Sequence, residues 1–126
     1  MAYVYLNPNP LDKHNNDCVV RAIALSRHKT WDEIYKDLCK EGYEMADMPS
    51  SNTVWDRYLR KHGYTRHYLS DTCPDCYTLK DFCEDYPDGE YIVCTGEHAV
   101  CVVYSDHLDI TDSSNEIVTY YYEKEF

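Results

Sequence analysis

The sequence predicts an α+β fold in which helices come first and an antiparallel sheet follows. Between Cys18 and Gly63 the apolar residues recur at helical spacing, whereas beyond Pro87 they alternate with a period of two. Turn residues separate the later segments, as expected for strands joined by hairpins. A chain of 126 residues has the size of one domain with a single core. We therefore expect one α+β domain spanning residues 1–126.

Four helices are expected, and local capping signals mark their starts. Asn16 or Asp17 can cap the first helix, because a short polar side chain accepts hydrogen bonds from the unpaired amides of the first turn. Thr30 and Glu33 form a capping box at the second, since each side chain can satisfy an amide of the other residue. The third and fourth helices are expected to begin near Asn52 and Thr78, and the first three are expected to end at residues 26–29, at Gly42 and at Gly63.

Short segments with alternating side chains predict the strands. The first is expected at the edge of the sheet, where it is stopped by an Asn-Pro-Asn-Pro sequence. The last four are expected to form an antiparallel meander, because short turn sequences separate them. The predicted strands are residues 2–6, 64–69, 90–95, 98–104, 108–112 and 117–123.

Composition argues against several classes of partner. The formal net charge of −11 disfavours nucleic acid and anionic membrane surfaces, and is compatible with a basic protein partner. No run of about 18 apolar residues is present, so we expect no membrane-spanning segment. The first residues lack the basic and apolar regions of a signal peptide. With seven cysteines, an odd number, and no secretion signal, we expect reduced thiols and a cytoplasmic protein.

Cys18 is the candidate nucleophile, because it falls in the first turn of the first expected helix. Aligned peptide dipoles and free amide groups in that turn stabilise a thiolate over a thiol. The helix behind it is apolar on nearly every side and is therefore expected to be buried. A thiolate in this position needs a base to act as a nucleophile. The apolar residues of this helix are Val19, Val20, Ala22, Ile23, Ala24 and Leu25.

His98 is the candidate base, and it opens a predicted strand directly after Gly96 and Glu97. Asp109 and Asp112 follow on the return strand. Paired strands place side chains about 5 Å apart, so a carboxylate there can accept the second N–H of the ring and orient it. A three-residue turn would put Asp112 on the face of His98, and a two-residue turn would put Asp109 there. Because Asp112 ends its predicted strand, where the rim of an active site usually lies, we expect Asp112 to orient His98, with Asp109 as the alternative.

The order of these parts resembles the papain-like cysteine peptidases, and more closely their small bacteriocin-processing branch and the transglutaminase-type cores. It is also similar to small phage-encoded proteins in which a His-x-Val strand precedes Asp-x-x-Asp-Ser-Ser. The resemblance implies a papain-like fold with Cys18 as nucleophile, His98 as general base and then acid, and Asp112 as the orienting residue. It implies an amide or isopeptide bond of a peptide or protein as substrate, no cofactor, and the host cytoplasm as location if the chain is phage-encoded. The motifs that carry it are Asn16-Asp17-Cys18, Glu97-His98-Ala99-Val100 and residues 109–114.

The group that would bind an oxyanion departs from the family pattern. Papain-like peptidases normally carry a glutamine about six residues before the cysteine, where this chain has Asp12, whose ionised carboxylate offers no donor. Asn15 and Asn16 are the nearest amide substitutes, and the backbone amide of Cys18 can supply a further donor. Arg21 lies one turn after Cys18. It can lower the thiol pKa, bind a substrate carboxylate, or pair with one of the many acids to tolerate burial.

Two other interpretations stay open. The chain can be a catalytically inactive papain-like phage protein that uses its acidic surface to bind and inhibit a basic host protein. Cys73 and Cys76, with Cys83 and His67 nearby, can also hold zinc, because Cys-x-x-Cys presents two thiolates on one tight turn. A convincing fourth ligand is not apparent in the sequence, and we therefore expect no metal site.

Overall fold

The computed structural model describes residues 2–69 and 77–125. Within these ranges the chain forms four helices and a six-stranded sheet, so the α+β fold is confirmed. The helices are α1 (Cys18–Arg27), α2 (Trp31–Met45), α3 (Asn52–Lys61) and α4 (Leu79–Asp85). The strands are β1 (Tyr3–Tyr5), β2 (Tyr64–Tyr68), β3 (Glu90–Thr95), β4 (His98–Val103), β5 (Asp106–Asp109) and β6 (Tyr120–Lys124).

Apolar cores cover both faces of the sheet, whose strand order is β1-β5-β4-β3-β6-β2. One core joins the sheet to α1, α2 and α3 and includes Ile23, Leu38 and Tyr122. The other joins the sheet to α4 and includes Phe82 and Val102. Strand β3 lies between the two cores and is buried along its whole length. None of the helices in the described ranges combines the length and the apolar character needed to cross a membrane.

The sheet is mixed, which corrects the prediction of an antiparallel sheet. Strand β1 runs parallel to β5, with Val4 opposite Leu108, whereas the other four pairings are antiparallel. A parallel pair requires a long crossover connection, and the elements between β1 and β5 supply one. The alternation of residues 3–5 identifies a strand, but it carries no information on the direction of the partner strand.

Helix α2 continues past Gly42, where the sequence predicted its end. Its C-cap is Ala46, whose φ of 53° lies in the left-handed region. Gly42 serves a different purpose, because a Cβ at this position would lie 2.7 Å from the carbonyl oxygen of Asp47. The glycine thus permits the loop after α2 to pack directly on the helix. At the other end the predicted capping box is confirmed, since Thr30 Oγ1 accepts a hydrogen bond from the amide of Glu33 at 3.1 Å.

The hairpin between β4 and β5 has a two-residue turn, Tyr104 and Ser105. Their φ angles of 45° and 77° are both positive, as in a type I′ turn, whose twist matches that of the paired strands. Strand β5 therefore starts earlier than predicted and ends at Asp109, so that Asp112 lies beyond it. The length of this turn decides which aspartate faces His98.

Candidate active site

Cys18 is the first residue of α1 and is partly buried beside the start of β4. Its side chain hydrogen-bonds with His98 and receives a second hydrogen bond from the backbone amide of Ala99. Burial by itself would raise the pKa of the Cys18 thiol. The two hydrogen bonds and the positive charges of His98 and Arg21 outweigh it, so that the pKa is lowered.

His98 lies between Cys18 and a buried carboxylate. Its Nε2 is 2.5 Å from Oδ2 of Asp109, which leaves Nδ1 as the ring nitrogen available to exchange a proton with the thiol. Hydrogen bonds with Asp109 and Cys18 raise the pKa of His98 to about 10, against the opposing effect of burial. With the thiol pKa lowered and the imidazole pKa raised, the pair favours thiolate and imidazolium.

Asp109, rather than Asp112, is the carboxylate that contacts His98. The two-residue turn puts Asp109 and His98 on the same face of the hairpin, which is the outcome expected for a turn of that length. Asp112 instead lies in an exposed loop, where Oδ1 is 3.2 Å from Nε2 of His107 and accepts a hydrogen bond from the Ser114 amide at 3.0 Å. The expectation that Asp112 orients His98 was wrong, because it assumed a longer turn.

Hydrogen bonds keep Asp109 ionised although it is buried. Its side chain is 2% exposed, and burial alone would raise its pKa. Hydrogen bonds with His98, the Ile110 amide and Arg21 lower the pKa instead. The Ile110 amide donates to Oδ1 at 2.7 Å, and Ser113 Oγ lies 3.4 Å from Oδ2. Both oxygens of Asp109 therefore have donors in addition to the imidazole.

Arg21 connects this carboxylate to the residue that precedes α1. Its Nη1 donates to Oδ1 of Asp109 at 2.7 Å, and its Nε donates to Oδ1 of Asp17 at 2.8 Å. Of the three roles open in the sequence, the structure shows pairing with acids, together with a contribution to the lowered thiol pKa. Asp17 does not cap α1 with its side chain. It accepts hydrogen bonds from Asn9 Nδ2 at 3.1 Å and Trp31 Nε1 at 2.9 Å.

A cleft of about 700 Å³ opens beside Cys18 and His98. The predicted oxyanion-binding residues Asn15 and Asn16 are exposed and line it. Asp12 is not among the lining residues, and it accepts a hydrogen bond from Asn7 at 3.1 Å. Much of the remaining wall is apolar and comes from α1, α2 and the loop after α2. These apolar lining residues are Val19, Val20, Tyr35, Leu38, Met48 and Pro49.

Asn52 and Glu97 also line the cleft, and the sequence assigned neither of them a role at the site. Asn52 was interpreted as a helix cap, but the N-cap of α3 is Ser51. The Oδ1 of Asn52 accepts a hydrogen bond from Trp55 Nε1 at 3.0 Å, so the amide nitrogen remains as a donor at the cleft. Glu97 also lines the cleft and is exposed. Glu97 could have been assigned to the site from the sequence, because it directly precedes His98. No nearby residue in the sequence linked Asn52 to Cys18.

The residues considered for zinc are only partly described. Cys73 and Cys76 lie outside the described residues. Burial raises the pKa of Cys83 to about 11, which favours the neutral thiol over a metal-binding thiolate. His67 lies 3.1 Å from Glu123. Across residues 2–69 and 77–125, no group of three or more His, Cys, Asp or Glu side chains is placed to hold a metal ion.

The start of α1 and the adjoining ends of β4 and β5 thus bring Cys18, His98 and Asp109 into one hydrogen-bonded series at the wall of a cleft. Such a series can produce a thiolate near neutral pH and return a proton to a leaving group. No family model, curated protein or solved structure matches this chain, and its chemistry must therefore be inferred from the site itself.

Proposed function

We propose that the protein is a papain-like thiol enzyme that hydrolyses or transfers acyl groups at amide or isopeptide bonds of a peptide or protein in the cytoplasm. The observation that carries this proposal is the hydrogen-bonded series of Cys18, His98 and Asp109 beside an open cleft. The order of these residues along the chain, with the cysteine at a helix start and the other two on paired strands, supports the papain-like assignment.

The proposed reaction begins with attack of the Cys18 thiolate on the substrate carbonyl carbon. The thiol proton already resides on His98, and the imidazolium donates it to the departing amine as the carbon–nitrogen bond breaks. The acyl group is then held as a thioester on Cys18. Water or a second amine attacks the thioester after His98 removes its proton, and the thiol leaves. Asp109 stabilises the imidazolium throughout and is not itself protonated.

The oxyanion formed during attack requires hydrogen-bond donors, and the cleft offers two kinds. The backbone amide of Cys18 lies in the first turn of α1, where amides lack partners within the helix. The side-chain amides of Asn15, Asn16 and Asn52 line the same cleft. Removal of one oxyanion donor typically costs ~10²–10³ in rate, so replacing each asparagine by alanine would identify which of them serves.

The reactivity of Cys18 toward iodoacetamide at pH 6, measured by peptide mass spectrometry, tests the proposal. An ordinary thiol is only roughly 0.3% ionised at that pH. We expect Cys18 to react at least about tenfold faster than the partly buried Cys39, because His98 stabilises its thiolate. The substitution His98→Ala should abolish this advantage, whereas the control His67→Ala on β2 should retain it. Equal reactivity of Cys18 and Cys39 would contradict the proposal and favour a non-catalytic binding protein.

The pH dependences of two rates, alkylation of Cys18 and turnover of an amide, separate thiolate formation from proton donation. Alkylation needs only the thiolate, so its rate should rise as pH passes the lowered pKa of Cys18 and then stay constant. Turnover of an amide also needs the imidazolium, which is lost as pH rises through about 10. Amide turnover should therefore fall on the alkaline side while alkylation does not. Parallel curves for the two reactions up to pH 11 would contradict the role of His98 as acid.

A further inference from the structure

Five ionisable groups at the site form a series in which the charges alternate. From the loop before α1 to the cleft they are Asp17, Arg21, Asp109, His98 and Cys18, and each is hydrogen-bonded to the next. Negative and positive groups thus succeed each other from the interior to the reactive sulfur. The proposed reaction uses the last three of these groups and assigns no role to Asp17 and Arg21.

The guanidinium of Arg21 is held too firmly to serve as a substrate-binding group. The side chain is 5% exposed and pairs with both Asp17 and Asp109. Asp17 is itself 8% exposed and is fixed by Asn9 and Trp31. Arg21 is therefore held from several sides: it lies on α1, its two partners come from the loop before α1 and from β5, and the start of α2 fixes Asp17.

The contacts of Asp109 show what this rigid cation does. One carboxylate oxygen of Asp109 faces Arg21, and the other faces His98. A carboxylate held at one oxygen by a fixed guanidinium cannot rotate freely, so its second oxygen keeps its direction toward the imidazole. Arginine suits this task because its planar fork presents several N–H groups in fixed directions, whereas lysine presents a single ammonium.

We propose that Arg21 is a positioning residue for the proposed thiol chemistry: anchored by Asp17, it fixes Asp109 so that the carboxylate holds the His98 ring toward Cys18. This inference rests on the proposed function. The ionisable groups that face Arg21 are Asp17 before α1 and Asp109 on β5, and those that face His98 are Asp109 and Cys18 on α1. The charges of His98 and Arg21 act directly on the Cys18 thiol and lower its pKa.

The test measures the rate of Cys18 alkylation by iodoacetamide from pH 5 to pH 10 on the full chain. The paired substitution of Asp17→Asn with Arg21→Gln removes one charge of each sign and leaves the net charge unchanged. We expect the pH midpoint of alkylation to rise by about one unit or more, which is a roughly tenfold lower rate below the midpoint. Arg21→Lys retains the cation but loses the fork, and we expect a smaller rise in the same direction.

Arg27→Lys provides the matched control, because Arg27 lies on the same helix and bonds to Tyr58 instead of the site. Circular dichroism and thermal unfolding establish that each variant is folded. If the paired variant does not fold, Arg21→Lys decides the question alone. A folded variant with the midpoint of the unaltered protein would overturn the role of Arg21. An unaltered protein whose Cys18 is no more reactive than Cys39 would instead overturn the proposed function and, with it, this inference.

Discussion

At the scale of single residues, Asp109 and Asp112 differ in burial and in the histidine that each contacts. Asp109 is buried, bonded to Arg21 and 2.5 Å from the imidazole. Asp112 is 57% exposed and faces His107. The two residues are close in sequence but have different partners, and they therefore form a natural matched pair for mutagenesis.

We expect Asp109→Asn to lower the rate of Cys18 alkylation at pH 6 by about tenfold or more. A neutral amide cannot stabilise the imidazolium, and the corresponding change in other triads favours the wrong tautomer and costs ~10⁴ in turnover. Asp112→Asn should leave the rate within about twofold, since this exposed carboxylate does not reach His98. Equal losses in the two variants would show that neither carboxylate acts through the imidazole.

How much of the site the sequence predicts depends on how local each signal is. The nucleophile candidate Cys18 and the base candidate His98 stand at a helix start and a strand start, so each is recognisable from its neighbours. The choice between Asp109 and Asp112 depends on the length of one turn, which the sequence left open. The pairing of Arg21 with Asp109 joins residues 88 positions apart, and no local pattern predicts it.

At the scale of elements, the turn between β4 and β5 sets the geometry of the site at a cost in backbone strain. Tyr104 is 57% exposed and adopts φ of 45°, which a residue with a large side chain rarely does. Its amide donates to the carbonyl oxygen of Gly89 at 2.9 Å. The backbone conformation, rather than the exposed ring, is therefore what the hairpin requires of this position.

We expect Tyr104→Asn to raise the free energy of unfolding by about 0.5–1 kcal/mol, because asparagine adopts positive φ with little strain and is favoured in type I′ turns. Urea denaturation followed by circular dichroism measures the change. Tyr104→Ala is the control, since it removes the ring without gaining the left-handed preference of asparagine. A similar gain for alanine would assign the effect to the ring.

The elements themselves were predictable where their signals are local. The capping box of α2, the start of α4 near Thr78 and the alternation of β3 depend on neighbouring residues, and the structure has these elements where the sequence indicated them. The sequence could not predict that β1 runs parallel to its partner strand, or why a glycine is needed at position 42. Each depends on a segment that returns from elsewhere, either β5 beside β1 or the loop that packs on α2.

At the scale of the whole molecule, the excess of negative charge extends into the cleft. The charges of Asp17, Arg21, Asp109 and His98 are used within the buried series. Glu97 differs, because its exposed carboxylate lines the cleft and has no partner among the described residues. Together with the net charge of −11, this carboxylate should favour neutral or basic substrates over acidic ones.

We expect Glu97→Gln to raise the rate of Cys18 alkylation by anionic iodoacetate relative to neutral iodoacetamide. Two unit charges roughly 8 Å apart in water repel by about 0.5 kcal/mol, which corresponds to a two- to threefold change in the ratio of the two rates. Added salt should reduce the difference, because it screens exposed charges. Glu44→Gln, on α2 and outside the cleft, changes the net charge equally and should leave the ratio unchanged. If both variants change the ratio alike, the selectivity belongs to the overall charge of the protein and Glu97 has no particular part in it.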